Sequence, residues 1–424
     1  MKKVLDVSNK IYSFILMACF ILLSRNTLIS ANIIGFEKTY IFMLIICVPL
    51  IIKQIFSIKK NKNFSKNILI LIIAILISIV LKLDFALYNI SILLYITIAY
   101  LYFREYKKET IINNFIIVMT FLMVYSLIGT YIIKPALIKT ISFDECMKIG
   151  RCFENINKTK ILNLYFSFPV YITYYIRNFG IFTEPGIYQF YLIILLIIIL
   201  FEKSINKIGI KIPLAFICIL TILSTFSTAA YIVLVLILLA FIINLIHNSK
   251  IDKKIIIGCT LSSILLFSFG CSKLIEKNSN IRDMYGMIKI KITSHNTSTD
   301  TRTLGMLDNL NEFAKSPLIG NDISKIMNNK LSAVNTNFSF LAIYGIVPGI
   351  VLIMIEYLFC TIFSNKKIVN VLIFIGILFS INNHFFLGSQ SFWIIIMTGL
   401  YNEERMWKGI KKNESNVDCQ YSLP

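Results

Sequence analysis

One short stretch of the chain places a cation and a carboxylate among aromatic residues. It runs from Tyr174 to Tyr188, reads YYIRNFGIFTEPGIY, and has Arg177 and Glu184 as its charged residues. An arginine can form paired hydrogen bonds with phosphate oxygens. A carboxylate that is partly removed from water binds protons more tightly and can take one from a hydroxyl group. The stretch therefore indicates anion binding by Arg177, base catalysis by Glu184 and substrate contact by Tyr188.

Both charges also have purely structural explanations. Arg177 can extend along apolar surface until its charged group reaches water. Glu184 can lie near the N-terminus of the following helix, where the helix dipole favours a negative charge. Under these explanations the two residues would have no chemical role.

A second cation lies in a helix that the sequence predicts near residues 300–315. Asp300 can cap this helix, which ends before Pro317. Its apolar face consists of Leu304, Leu307, Leu310 and Phe313. Arg302 lies in the first turn, where a positive charge opposes the helix dipole, and a bound anion would relieve that conflict. We predict that Arg302 binds an anion; an exposed arginine without a ligand is the alternative.

Four further polar residues are candidate substrate contacts. Ser227 and Thr228 belong to a polar turn, residues 224–228, between two apolar segments. His384 lies near the end of an apolar segment, where polar side chains are functional candidates, and Asn337 is a candidate through the family resemblance given below. No pair of histidines has metal-ligand spacing, and no phosphate-binding or dinucleotide-binding loop is present, so we predict neither a metal nor a cofactor.

The composition indicates the environment in which these residues must be positioned. Of the 424 residues, 57% are apolar and 15% are charged, and the mean hydropathy is +0.77. A soluble domain has about 45–50% apolar and about 25% charged residues. Long apolar runs recur along the chain, which predicts an all-α polytopic integral membrane protein and excludes a soluble enzyme with a single anchor.

We predict about twelve transmembrane helices, each from a run of about 16–20 uncharged residues. The runs lie near 11–30, 39–57, 67–83, 86–103, 111–133, 186–201, 212–226, 227–246, 255–270, 337–363, 368–384 and 387–402. Lysines and arginines precede the first run and follow each even-numbered run. Because cationic loops remain in the cytoplasm, the N- and C-termini are both predicted to be cytoplasmic. This orientation signal also accounts for the net charge of +20 without nucleic acid.

The predicted spans divide the chain into six parts. These are helices 1–5 in residues 1–133, an external loop in 134–185, helices 6–9 in 186–270, an external loop in 271–336, helices 10–12 in 337–402, and a cytoplasmic tail in 403–424. The uncharged run 161–176 would invert every later loop if it crossed the membrane, so we predict an interfacial or re-entrant segment there. Cys146 and Cys152 lie close together in the first external loop and could form a disulfide.

The order of these motifs resembles that of the O-antigen ligase/polymerase family, most closely its Wzy-type O-antigen and capsular polysaccharide polymerases. The matching residues are Arg177, Gly180, Phe182, Glu184 and Pro185; the turn 224–228; Arg302, Pro317, Leu318 and Gly320; and Asn337, Gly345 and Gly349. The resemblance covers roughly residues 170–360. Ala229 replaces the arginine that often follows the Ser-rich turn. The histidine usual in ligases is absent from Asn335-Thr336-Asn337, which favours a polymerase.

The resemblance implies a bacterial glycosyltransferase with two long external loops in the cytoplasmic membrane. It would join undecaprenyl-pyrophosphate-linked oligosaccharide repeat units on the outer face, beside membrane lipids, a chain-length regulator and a flippase. Arg177 and Arg302 would clamp the pyrophosphate and Glu184 would be the base. Gly180, Tyr188, Ser227, Thr228, Asn337 and His384 would line the substrate site.

Two rival functions remain open. A polysaccharide ligase of the same family would share the fold and differ in its acceptor. A lipid-linked oligosaccharide flippase would belong to a different class and should show charged residues deep in many spans and repeat symmetry between its halves. The sequence shows few such charges and no such symmetry.

Overall fold

The structure, a computed structural model, is a bundle of apolar helices with a small sheet. It describes residues 2–27, 29–30, 36–57, 65–133, 138–140, 157–161, 164–170, 175–202, 208–248, 297–328 and 335–401. The predicted ninth span at 255–270, the predicted tail 403–424 and the pair Cys146 and Cys152 lie outside the described residues.

The helices alternate with short turns through most of the described chain. The first five are α1 (Lys2–Leu22), α2 (Phe36–Ser57), α3 (Lys66–Lys82), α4 (Leu87–Glu105) and α5 (Lys108–Leu127), which continues as a π-helical turn at Ile128–Ile133. The next three are α6 (Pro185–Phe201), α7 (Ile208–Ser224) and α8 (Thr228–Asn248). The last six are α9 (Thr297–Lys315), α10 (Ile323–Asn328), α11 (Thr336–Tyr344), α12 (Ile346–Thr361), α13 (Lys367–Ile381) and α14 (Gln390–Met397).

A four-stranded antiparallel sheet adds to the helices within the first long connection. Its strands are β1 (Ile138–Thr140), β2 (Asn157–Ile161), β3 (Leu164–Val170) and β4 (Tyr175–Asn178), hydrogen-bonded in the order β1-β2-β3-β4. The run that the sequence assigned to an interfacial or re-entrant segment thus contains strand residues. Its aromatic and β-branched residues suit a pleated strand.

Among the described helices, three are long and apolar enough to cross a membrane. They span Leu87–Glu105, Lys108–Thr130 and Thr228–His247. Shorter apolar helices occur at Val7–Leu22, Pro185–Phe201, Gly209–Ser224, Ile346–Thr361 and Lys367–Ile381. A helical membrane protein accounts for these elements, whereas the count of twelve crossings and the orientation stay predictions.

Three predicted spans differ from the observed helices, and one of them is the twelfth, which was expected at 387–402 and is the eight-residue α14 (Gln390–Met397). The first was expected at 11–30, but α1 ends at Leu22 because the Thr27 hydroxyl donates to the carbonyls of Leu22 and Ser24. The tenth was expected as one helix over 337–363, yet Gly345 separates α11 from α12. Mean hydropathy identifies the first and tenth segments as apolar, but it is insensitive to a single residue that reverses the chain.

The two helices around Gly345 form a hairpin. The Asn337 side chain in α11 donates to Glu356 Oε2 in α12 at 2.9 Å, and Gly349 gives room to Leu341. The apex is Gly345, whose φ of +85° is one that side-chain-bearing residues rarely adopt. α11 therefore turns back along α12 instead of extending it.

The turn that follows α9 fits closely against this apex. Gly320, with φ +79°, faces the Ile343 carbonyl, where a Cβ atom would be 2.1 Å from the oxygen. A Cβ atom on Gly345 would be 2.3 Å from the Leu318 carbonyl oxygen. The Ile346 amide donates to the Pro317 carbonyl at 2.8 Å. Several residues that carry the family resemblance thus have packing roles.

Helix α6 lies at the centre of the bundle. All of its residues except Leu200 are buried, as expected of a helix that is apolar on every side and lies within the core. It packs against α5, α7, α8 and α13. The residue that begins it, Glu184, is therefore held by the most enclosed helix among those described.

Substituting Gly345 with alanine should destabilise the protein by more than about 1–3 kcal/mol, the usual cost of a side chain in a sparsely populated backbone region, because the new Cβ also overlaps Leu318. Gly209→Ala is the control, since Gly209 has no atom within 4 Å of a Cβ position and lies in α7. Thermal unfolding in detergent should show a lower midpoint for Gly345→Ala and an unchanged or higher one for Gly209→Ala. Equal midpoints would contradict the close approach at the apex.

Candidate functional site

Glu184 and His384 form a close pair at the start of α6. The His384 Nδ1 atom lies 3.3 Å from Glu184 Oε2, and the side chains are 6% and 23% exposed, respectively. Their positions are separated by 200 residues, so only the fold brings them together. The carboxylate is the more accessible member, which suits it to meet a substrate, while the imidazole orients it.

The missing side chain of Gly186 makes room for the imidazole. A Cβ atom at Gly186 would lie 1.9 Å from His384 Nε2, so the ring rests directly on the first turn of α6. With Nδ1 towards Glu184 and Nε2 towards the backbone, both ring nitrogens face α6. The imidazole is therefore in contact with the first turn of α6 on both sides, and its predicted contact with a substrate stays a prediction.

Thr336 fixes the backbone around His384. Its hydroxyl donates to the His384 carbonyl at 2.6 Å and accepts from the Phe386 amide at 2.9 Å. Thr336 is fully buried at the beginning of α11. The connection between α13 and α14 is therefore attached to α11 on one side and rests on α6 on the other.

Arg302 lies beside the same connection. Its Nη1 atom donates to Asn383 Oδ1 at 3.3 Å, and its carbonyl accepts from the Asn335 side chain at 3.1 Å. Among the side chains that the structure describes, which do not include that of Asp300, no carboxylate lies within ion-pair distance of this guanidinium. Burial lowers the pKa of Arg302, and a bound anion would counteract that effect.

Asn337 completes this group from α11. Its amide donates to Asn382 Oδ1 at 3.0 Å, and its side chain reaches the buried Glu356. Glu184, Arg302, Asn337, Asn383 and His384 are called the α6 cluster below. Four of the five were candidates from the sequence, and the structure gathers them around one connection, residues 382–386.

Tyr188 and Gly180 belong to an adjacent group. The Tyr188 ring packs under Gly180, where a Cβ atom would be 3.2 Å from the ring, and its hydroxyl lies 2.9 Å from Ser126 Oγ. Asn178 joins this group to α7, because its side chain donates to Ser126 at 3.1 Å and to Ser224 at 3.2 Å. Tyr188 is fully buried, so it supports the start of α6 and is not placed to touch a substrate.

The remaining candidates stand apart from the α6 cluster. Ser227 and Thr228 precede and begin α8, and in the described part of the chain their side chains make no hydrogen bond to the cluster. Arg177 lies in β4, where its backbone is paired with Phe168, and its side chain falls outside the described atoms. Among described residues there is no group of three His, Cys, Asp or Glu that could hold a metal ion.

Gly186 and Thr336 are important residues that the sequence did not single out. Gly186 follows Pro185 at the beginning of a helix, where a small residue attracts no notice. Thr336 lies between two asparagines that were considered, and it serves as a bridge only because His384 is packed opposite. No spacing rule relates residues so far apart in the chain.

The cluster lies at one end of the bundle, opposite a cationic turn. At the far end of α6, Glu202 forms a 3.0 Å ion pair with Lys108, which begins α5. A 17-residue helix is about 26 Å long. Arg104, Lys107 and Lys108 are therefore separated from the cluster by the length of α6, and the orientation rule assigns such cationic turns to the cytoplasm.

Replacing Gly186 with alanine should destabilise the protein by about 1–3 kcal/mol, since the added methyl group overlaps the His384 ring. In a His384→Ala background the ring is absent, so the same substitution should cost much less. Thermal unfolding of the wild type, both single variants and the double variant in one detergent would measure this coupling. Additive effects of the two substitutions would show that Gly186 and His384 are not in contact.

Compared with known proteins, the chain matches no family model, no curated protein sequence and no solved structure. The contacts of the α6 cluster and the order of motifs in the sequence are therefore the basis for a proposal of function.

Proposed function

We propose that the chain is a polysaccharide polymerase of the cytoplasmic membrane that joins undecaprenyl-pyrophosphate-linked repeat units at the outer face. The observation that carries the proposal is the Glu184 and His384 pair at 3.3 Å, with Arg302 beside the same connection. A carboxylate held by a histidine and a nearby cation bonded to a neutral amide are suited to transfer a proton and bind an anion, respectively.

Glu184 is the proposed base. It would accept the proton of the acceptor sugar's hydroxyl as that oxygen forms a bond to the anomeric carbon of the donor. The bond between this carbon and the pyrophosphate oxygen would break at the same time, and the lipid pyrophosphate would leave with the bonding electrons. The donor already contains a good leaving group, so these residues need only position the hydroxyl and stabilise charge.

Arg302 is the proposed contact for the leaving pyrophosphate. Its hydrogen-bond partner among the described side chains is the neutral amide of Asn383, which leaves its charge to be balanced by an anion. Arg177 is the second proposed contact, through the resemblance alone. Asn337 and Asn383 would maintain the geometry of the connection that carries His384.

The position of the cluster supports catalysis on the outer face. It lies at the end of α6 opposite the cationic turn Arg104–Lys108, which the orientation rule places in the cytoplasm. Lipid-linked sugars that have crossed the membrane would meet the cluster at that face. This placement rests on the predicted orientation.

Deleting the gene in its native strain and then restoring it tests the reaction class. A polymerase defect should accumulate single repeat units on the outer face, with no ladder of longer glycans after electrophoresis. Repeat units retained on the cytoplasmic face would instead indicate a flippase. Full-length polymer retained on its lipid carrier would indicate a ligase, and either result would overturn the proposal.

Glu184→Gln should reduce the rate of polymer formation by about 10²–10⁴-fold, the usual contribution of a positioned acid or base, because the amide cannot accept the proton. Glu109→Gln is the matched control, since Glu109 is exposed in the first turn of α5 at the other end of the bundle. The readout is ladder length and amount in membranes with equal protein. Polymerisation by Glu184→Gln at the control rate would exclude the proposed base.

Arg302→Ala should shorten the ladder and weaken product formation at limiting donor, because the pyrophosphate loses a cation. Lys315→Ala removes a cation from the same helix, where it is exposed and paired with Glu312, and should leave the ladder unchanged. The same assay in protein-matched membranes compares both variants with the wild type. Normal ladders in both Arg302→Ala and Arg177→Ala would contradict the pyrophosphate clamp.

A further inference from the structure

Helix α9 presents leucines on its exposed side. Leu304, Leu307 and Leu310 follow one another at a spacing of three residues and are 50%, 47% and 36% exposed. Gly305 and Asn309, on the other side of the helix, are buried. The sequence predicted that these leucines share one face of the helix, and the structure leaves that face uncovered.

This helix lies beside the bundle. The Asn335 side chain donates to the Arg302 carbonyl near the start of α9, and Asn309 donates to Ser339 in its middle. Beyond its end, the Pro317 carbonyl accepts from the Ile346 amide. Contacts along the whole length of α9 therefore keep it alongside α11 up to the hairpin apex.

α11 in turn lies alongside helices with the character of membrane spans. It folds back along the apolar helix α12, and its last residue, Tyr344, donates to Asn89 at 2.8 Å. Asn89 is in the first turn of α4, which is long and apolar enough to cross a membrane. The connection that holds the other end of α11 also meets this turn of α4, because the Phe385 ring lies 6.0 Å from the Tyr88 ring, so α11 and α9 lie beside the same end of the spans.

The turn after α9 and the start of α12 carry further exposed apolar residues, while Asn311 and Lys315 are exposed on the leucine side of α9 itself. Leu318, in the turn after α9, is 73% exposed. Ile346, Val347 and Ile350 at the start of α12 are also exposed, and Ile346 is bonded to the residue before Leu318. On the far side of the same turn, Ser78 of α3 donates to the Ile319 carbonyl, and Leu81 one turn further along α3 is exposed. Contiguous apolar surface of this kind marks a site of interaction, and lipid chains cover it on a membrane span.

We propose that the leucine side of α9, formed by Leu304, Leu307 and Leu310, contacts the acyl chains of the bilayer. α9 would then lie at the membrane without crossing it and hold Arg302, in its second turn, at the depth of the connection 382–386. Mean hydropathy misses such a helix, because its inward side is polar and makes hydrogen bonds to α11. The proposal concerns lipid contact and does not require glycosyl transfer.

Depth-dependent quenching tests this contact in the full chain. A small environment-sensitive fluorescent amino acid would be introduced by amber suppression at Leu307, at Leu81 and, in separate proteins, at Ser324. Leu81 is the control for lipid contact, whereas Ser324 is exposed on α10, beyond the turn that meets α3. Each protein would be placed in nanodiscs of phosphatidylethanolamine and phosphatidylglycerol with or without brominated acyl chains, and titrated with iodide as the aqueous quencher.

The label at Leu307 should be quenched by brominated lipid to the same extent as that at Leu81 and several-fold more than that at Ser324. Iodide should show the reverse order. Strong iodide quenching at Leu307 would mean that α9 lies in water, and shielding from both quenchers would mean that protein covers it; either result overturns the proposal. If the polymer ladders are normal but the quenching overturns the lipid contact, the polymerase proposal stands. If the ladders show no polymerase defect but the quenching confirms the lipid contact, the lipid proposal stands without the polymerase proposal.

Discussion

The packing of the His384 ring on the bare backbone of Gly186 is the contact on which the candidate site depends. It brings the connection between α13 and α14 against the first turn of α6, and the rest of the cluster attaches to that connection. Thr336 binds its backbone, Asn337 binds Asn382, and Arg302 binds Asn383. A side chain at Gly186 would separate α6 from all three.

Buried polar groups define the registers of the helices that meet here. In an apolar bundle an unpaired polar atom is costly, so Gln189 with Ser380 and Asn337 with Glu356 each favour one alignment of two helices. Gln189 Oε1 and Glu356 Oε1 nevertheless lack a protein partner within the described part of the chain. The bundle thus tolerates incompletely satisfied groups close to the α6 cluster, which is where a functional site would place them.

The apolar runs were enough to locate most helices, because burial in a bilayer or a core depends on composition over many residues. They could not locate the reversal at Gly345, which depends on one residue and on the turn at Pro317–Gly320 packed against it. Polarity in apolar surroundings singled out Glu184 and His384, and the family resemblance singled out Asn337. Their proximity could not be predicted, since it arises from tertiary contacts between positions far apart in the chain. The spacing of the leucines of α9 predicted the helix, but spacing alone does not say whether protein or another apolar medium covers a face.

The enclosure of α6 links the site to the middle of the bundle. Because neighbours surround this helix on every side, Glu184 cannot shift independently of residues such as Ile193 and Leu196, two to three turns below it. The Glu184 carboxylate thus lies at the end of a buried helix, and α9 is the peripheral helix beside it. The height of the carboxylate is therefore determined by the core of the bundle, whereas the position of Arg302 is determined by the contacts of α9 with α11 at the side of the bundle.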